Sequence, residues 1–178
     1  MATIHVLDET TINKIAAGEF VERPASVVKE LIENSIDAGA TSIEVEIGEG
    51  GSAYMRITDN GKGMTEEDAR LAFLRHATSK IQNVEDLFDI ASLGFRGEAL
   101  ASIASVSHFV LTTRTVDQEL GTRILIDGGT FTDCIPYGAA PGTTIEVKEL
   151  FFNTPARRKF LKTERTESSK IQDIVGKL

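Results

Sequence analysis

Ser42 to Ile47 (SIEVEI) alternates apolar and charged side chains, and after the glycine-rich turn Gly48 to Gly51 (GEGG) the stretch Ala53 to Thr58 (AYMRIT) resumes a strand pattern. Successive strand side chains point to opposite faces, so the pattern requires one covered face and one wet one. A turn this short joins its strands as a hairpin. Further strand candidates are His108 to Arg114, Thr122 to Asp127 and Thr143 to Lys148, with Thr130 to Tyr137 as a fourth. Helices come early and strands dominate late, which predicts an α+β fold: a two-layer sandwich of a mixed, mostly antiparallel sheet with helices on one face. The repeated strand–helix alternation of a doubly wound fold is missing.

The first helix is predicted over Ser26 to Asp37, with Pro24 at its entrance, Ser26 as cap and Gly39 as terminator. Its wheel puts Val27, Val28, Leu31, Ile32 and Ile36 on a broad buried face, with Glu30, Asn34 and Asp37 along one edge. Thr65, with Asp68 three residues on, opens a second helix through Arg75. The stretch His76 to Arg96 is less regular. A small-residue helix is predicted over Glu98 to Ser105, and a last one from about Thr166.

With 178 residues, 41% of them hydrophobic, the chain can bury a core as one domain. No apolar run reaches the ~18 residues of a membrane helix, the N-terminus is too polar for a secretory signal, and the single cysteine, Cys134, forms no internal disulfide. A cytoplasmic location is expected. Scattered histidines (His5, His76, His108) and one cysteine complete no zinc set. A net charge of −8 argues against general coating of nucleic acid and leaves one basic stretch, Ala156 to Arg165, with Arg157, Arg158, Lys159, Lys162 and Arg165 against Glu164. Such a cluster serves equally as a solvated helix face.

Four short segments carry chemistry. Glu30 and Asn34 are one helical turn apart, roughly 5–6 Å between Cβ atoms; the amide oxygen of Asn34 is a hard ligand suited to Mg²⁺, and Glu30 beside it is placed to take a proton from water. They would also serve as a solvated helix edge. Asp59, at a strand end before Asn60-Gly-Lys-Gly63, is an acceptor for an exocyclic amine, while the same residues form an ordinary turn. Gly94-Phe-Arg-Gly97 opens a helix whose free N–H groups suit an anion, with Thr78, Ser79 and Lys80 upstream, or else is a plain hinge and cap. Gly142-Thr-Thr144 starts a strand with a hydroxyl available to a base or a water.

Taken in order, Glu30 to Ala40 (ELIENSIDAGA), Asp59 to Gly63 (DNGKG), Gly94 to Leu100 (GFRGEAL) and Gly142-Thr143 resemble the four motifs of the GHKL ATPases. Ile15 to Val28 (IAAGEFVERPASVV), Arg75 to Lys80 (RHATSK) and Phe151 to Phe160 (FFNTPARRKF) are similar to the MutL-type mismatch repair branch of that superfamily. The resemblance implies a Bergerat-type ATP-binding domain over residues 1–178, cut before a second, transducer domain and a C-terminal dimerisation region. It implies Glu30 as general base, Asn34 as Mg²⁺ ligand and Asp59 as the adenine-reading carboxylate, with Gly63 admitting the ring and Thr143 supporting it. Arg75 to Leu100 would be the ATP lid, in which Thr78, Ser79, Lys80, Arg96, Gly97, Glu98, Ala99 and Leu100 meet the phosphates. The cofactors implied are ATP and Mg²⁺.

The partners implied by the resemblance are the mismatch-recognition protein MutS, downstream repair factors and, weakly, DNA through Arg157, Arg158, Lys159 and Lys162, with no membrane. The full-length protein would be a homodimer and the fragment a monomer without nucleotide. Hydrolysis by the fragment is expected to be slow, because the branch uses a lysine from the second domain.

Overall fold

A computed structural model describes residues 21–73 and 96–177, with backbone alone for residues 96–98. The predicted segments Ile15 to Phe20, Arg75 to Lys80 and Gly94-Phe95, and with them most of the expected lid, lie outside the described residues.

In chain order the elements are helix α1 (Pro24–Asp37), strand β1 (Ile43–Gly48), a 3-10 turn (Glu49–Gly51), β2 (Tyr54–Asp59), α2 (Glu66–Leu71), α3 (Arg96–Ser105), β3 (His108–Arg114), β4 (Gly121–Asp127), β5 (Thr130–Tyr137), β6 (Gly142–Lys148), α4 (Pro155–Lys159) and α5 (Glu164–Lys177). The strands form one sheet in the order β1-β2-β6-β3-β4-β5. All five pairings are antiparallel, so none of the parallel pairs that a mixed sheet would contain occurs among the described residues. The last strand, β6, inserts between β2 and β3 and joins the early hairpin to the later strands.

Alternation decides which face is covered. Met55 and Ile57 of β2 pair with Val147 and Ile145 of β6, which pair in turn with Phe109 and Leu111 of β3. All six are buried, and helical residues Val27, Val28, Leu31 and Ile103 complete the core with them. The opposite face is polar and wet: Glu46 bridges Arg56 at 2.7 Å, and His108 meets Asp127 at 2.9 Å. This is the one-sided sheet the sequence predicts.

Helix α1 starts at Pro24, two residues before the predicted cap. Proline lacks the N–H that a first turn would leave unused and has a helical φ already, so it takes the first helical position, and Ser26 lies inside the helix donating its amide to Arg23 O. The predicted stop holds. Gly39 (φ +77) donates to Ile36 O and Ala40 to Ser35 O, the paired bonds of a Schellman end. Ile36, expected on the buried face, is 49% exposed: it lies at the margin of the apolar arc in the last turn, beyond what the sheet covers.

Helix α2 is capped by Thr65, whose hydroxyl accepts from Asp68 N at 3.2 Å, but it ends at Leu71 instead of reaching Arg75. Helix α3 begins at Arg96, two residues before the predicted Glu98, and α5 at Glu164, two before the predicted Thr166. The basic stretch Ala156 to Arg165 is not one helix face, because it is divided between α4 and α5 with Phe160 to Thr163 as a break.

The 3-10 turn between β1 and β2 holds α5 against α1. Gly50 (φ +68) and Gly51 (φ +89) lie so close to α5 that a Cβ on Gly50 would come within 2.9 Å of the Glu164 backbone, and one on Gly51 within 2.9 Å of Ile171 and Pro24. Gly50→Ala is therefore expected to lower stability by about 1–3 kcal/mol in urea unfolding. Gly176→Ala, on α5 with open space around it, is expected to raise it by about 0.5–1 kcal/mol.

Candidate nucleotide site

Asp59 ends β2 where three elements meet. Its carboxylate Oδ1 accepts from Gly61 N at 2.9 Å and from Thr143 N, at the start of β6, at 3.2 Å. Oδ2 lies 2.6 Å from Ser35 Oγ on α1. The Ser35 hydroxyl also lies 3.1 Å from Leu31 O, and its single proton makes the stronger bond to the charged acceptor. A carboxylate has about four acceptor sites. Among the described residues three donors use them, which leaves one position on Oδ2.

The loop after Asp59 is fixed to the end of α1. Lys62 N donates to Ala38 O at 2.9 Å, Asn60 Oδ1 accepts from Thr41 N at 2.8 Å and Ser42 N at 3.0 Å, and a Cβ on Gly61 would lie 2.9 Å from Ala38. Gly63 has φ +68, and a Cβ there would lie 1.9 Å from Arg114 O. Its missing side chain thus lets the loop lie directly on the β3 backbone. Gly142 (φ +127) does the same on the other side, where a Cβ would lie 2.1 Å from Asp59 O.

Thr143 pairs with Asp59 across β2 and β6 and with Thr113 across β6 and β3. The buried Thr113 hydroxyl lies 2.9 Å from Thr143 Oγ1, is 3.1 Å from Gly142 O and accepts from Met64 N at 2.9 Å. Asp59, Gly61, Gly63, Gly142 and Thr143 therefore form one connected patch of backbone and hydroxyl groups.

Glu30 and Asn34 lie one turn apart on α1, both half-buried, and Asn34 is the chain neighbour of Ser35, which touches Asp59. Arg96, Gly97 and Glu98 form the first turn of α3, so the N–H groups a helix leaves without internal acceptors belong to them. The side chains of Ala99 and Leu100 are turned into the core. Thr78, Ser79 and Lys80 lie outside the described residues.

Sequence reasoning missed Ser35 and Thr113. Ser35 falls in the middle of the apolar arc of α1 and is 4% exposed; a buried hydroxyl requires a partner, and that was the available signal. Cys134 is no rival centre, because burial pushes its thiol above the ordinary value, against the pull of Arg70, and keeps it protonated near neutral pH.

In the basic stretch, Arg157 does not point freely outwards: its Nη1 donates to Val21 O at 2.6 Å. Arg158, Lys159, Lys162 and Arg165 are exposed, and Arg158 lies 3.9 Å from Glu149. Among the described residues no group of three or more His, Cys, Asp or Glu is placed to hold a metal, and no helix is long and apolar enough to cross a membrane.

Known proteins resemble this chain in sequence and in fold. The chain is 60% identical over 178 residues to DNA mismatch repair protein MutL of Caldanaerobacter subterraneus subsp. tengcongensis and 59% identical to that of Desulforamulus reducens, matching all of this chain and 30% and 28% of those proteins. It thus spans less than a third of the length of these curated relatives. The Aquifex aeolicus MutL ATPase domain complexed with ADP superposes with a TM-score of 0.67 at 38% identity, over 87% of this chain and 54% of that one. The N-terminal domain of a DNA repair protein superposes with a TM-score of 0.75 at 30% identity, over 92% of this chain and 47% of that one. The likeness to MutL read from the motifs is borne out. Residues 22–127, which run from the entrance of α1 to the end of β4 and include Glu30, Asn34 and Asp59, match the histidine kinase-, DNA gyrase B-, and HSP90-like ATPases, and the chain belongs to that family.

Proposed function

We propose that this chain is the ATP-binding and slowly ATP-hydrolysing switch region of a cytoplasmic MutL-type mismatch repair protein. The observation that carries the reading is the Asp59 carboxylate, with three acceptor sites held by Ser35, Gly61 and Thr143 and one left over. That remainder suits the exocyclic amine of adenine, and the likeness to an ADP-bound ATPase domain supports it.

In this reading Asp59 orients the base, Thr143 steadies the carboxylate, and Gly63 and its neighbours leave a flat backbone surface beside it. Asn34 offers a neutral oxygen that fits Mg²⁺ among phosphate and water ligands; the ion, when bound, supplies neutralisation of phosphate charge. Glu30 polarises the attacking water and takes its proton. The first turn of α3, at Arg96, Gly97 and Glu98, offers backbone N–H groups to phosphate oxygens, with Ala99 and Leu100 seating that turn in the core, and Thr78, Ser79 and Lys80 add two hydroxyls and a cation.

Nucleotide state then governs dimerisation of the full-length protein and its engagement of MutS, downstream repair factors and DNA. For DNA the exposed cations are Arg158, Lys159 and Lys162, while Arg157 adds its charge from a committed position.

Calorimetric titration with ADP and a non-hydrolysable ATP analogue tests the pocket. Wild type is expected to bind and Asp59→Asn to lose about 30-fold or more in affinity, since an amide NH₂ would replace an acceptor among donors. Equal binding by the two would remove Asp59 from the site. In the full-length protein Glu30→Ala is expected to keep ADP binding and lose about 10²–10⁴-fold in turnover; normal turnover would refute the base assignment. Asn34→Ala is expected to abolish any gain in ATP-analogue affinity on adding Mg²⁺ while leaving metal-free ADP binding in place.

A further inference from the structure

Phe151 to Arg157, the first part of the FFNTPARRKF motif, has no task in the nucleotide reading above. It makes bonds at the end of α3 and just ahead of α1, the two helices that reading depends on. At α3 it satisfies the carbonyls that a helix C-terminus leaves open. Asn153 Nδ2 donates to Ser105 O at 2.9 Å, and Phe151 N donates to Val106 O at 2.7 Å. The remaining carbonyls there are served by Gly129 N on Ala104 O, by Gly128 N on Ser107 O, and by the Ser105 and Ser107 hydroxyls on Ser102 O and Ile103 O.

At α1 the same segment supplies a tie from outside the helix. Arg23 gives no side-chain cap, and the first turn is closed by Ser26 N and Val27 N on Arg23 O. Just ahead of it, Arg157 Nη1 bonds the carbonyl of the buried Val21, a contact across 136 residues of chain. A second tie at this entrance is looser: Arg23 faces the buried Glu167 of α5 at 3.8 Å.

The piece between the two contacts is stiff. Phe151 is fully buried with φ +66, Thr154 N bonds Phe151 O, Arg157 N bonds Thr154 O, and the Arg157 guanidinium lies 5.9 Å from the Phe151 ring. Displacing one end therefore displaces the other.

We propose that Phe151–Arg157 is a bracket that sets the position of α1 relative to α3, with Asn153 and Arg157 as positioning residues for ATP turnover. Arg157 acts through Val21 on the helix bearing Glu30 and Asn34, and Asn153 acts on the helix whose first turn faces phosphate. The turnover part rests on the function proposed above; the mechanical part stands on the contacts alone.

Amide hydrogen exchange on the nucleotide-free chain tests the mechanical part. A hydrogen bond lost at one end corresponds to about tenfold faster local opening. Arg157→Gln and Asn153→Ala are each expected to speed exchange about tenfold at both the first turn of α1 and the last turn of α3. Arg157→Lys, which keeps a donor and folds more safely, is expected to recover most of the Arg157→Gln effect. Acceleration confined to the helix each residue touches, or spread evenly over the sheet, would overturn the bracket.

In the full-length protein the same variants are expected to lower kcat about tenfold while ADP affinity stays within about twofold, because Asp59 keeps its Gly61 and Thr143 donors. A parallel fall in both would overturn the positioning role. Failure of the wild type to bind nucleotide would overturn that role together with the proposed function, and the exchange result would still decide the bracket.

Discussion

The carboxylate of Asp59 joins the two layers of this fold. Ser35 brings α1 to it from the helical layer, and Thr143 brings β6 to it from the middle of the sheet. The loop that follows is bonded to Ala38, Thr41 and Ser42, so the end of α1, the end of β2 and the start of β6 share one small network. A half-buried carboxylate gives up part of its hydration and needs donors in exchange, and here three donors from three elements supply them. The same group is thus a structural fastener that keeps one acceptor position unused by the described residues.

The strands were legible because alternation has a physical cause local to each of them: one face is wet. His108 to Arg114 came out at its observed bounds for that reason, and Thr130 to Tyr137 did so although nearly all of it is exposed. The order of the sheet was not legible, since nothing within Thr143 to Lys148 announces that it will insert between β2 and β3. Helix α1 started two residues early because a side-chain cap was expected at Ser26 and a proline took the first position. Periodicity also overstated the width of the covered arc, which is why Ile36 is at the surface. At the site, Glu30, Asn34 and Asp59 were each ambiguous alone and informative in order. Ser35 was hidden because a serine in an apolar arc looks like filler until its partner, distant in sequence, is known.

Charge in the FFNTPARRKF motif reads differently in sequence and in space. As a string, Arg157 belongs with Arg158 and Lys159. Folded, it turns inward to a backbone carbonyl while its neighbours remain in solvent. A guanidinium presents several donors in a fixed fork and resists losing its proton, which suits a permanent tie to a carbonyl better than a lysine would. Counting cations along a sequence therefore overestimates the positive surface by the ones the fold has already used.

The β5 strand forms one margin of the sheet, and its exposed backbone would ordinarily invite another strand to add on. Two irregularities discourage this. Pro136 removes a hydrogen-bond donor from the strand, and the register shift between Leu125 and Ile126 leaves one β5 residue, Thr132, out of the ladder. Phe131, Ile135 and Tyr137 are exposed along this irregular edge. A single proline and one bulge thus make this edge a poor template for strand-by-strand polymerisation.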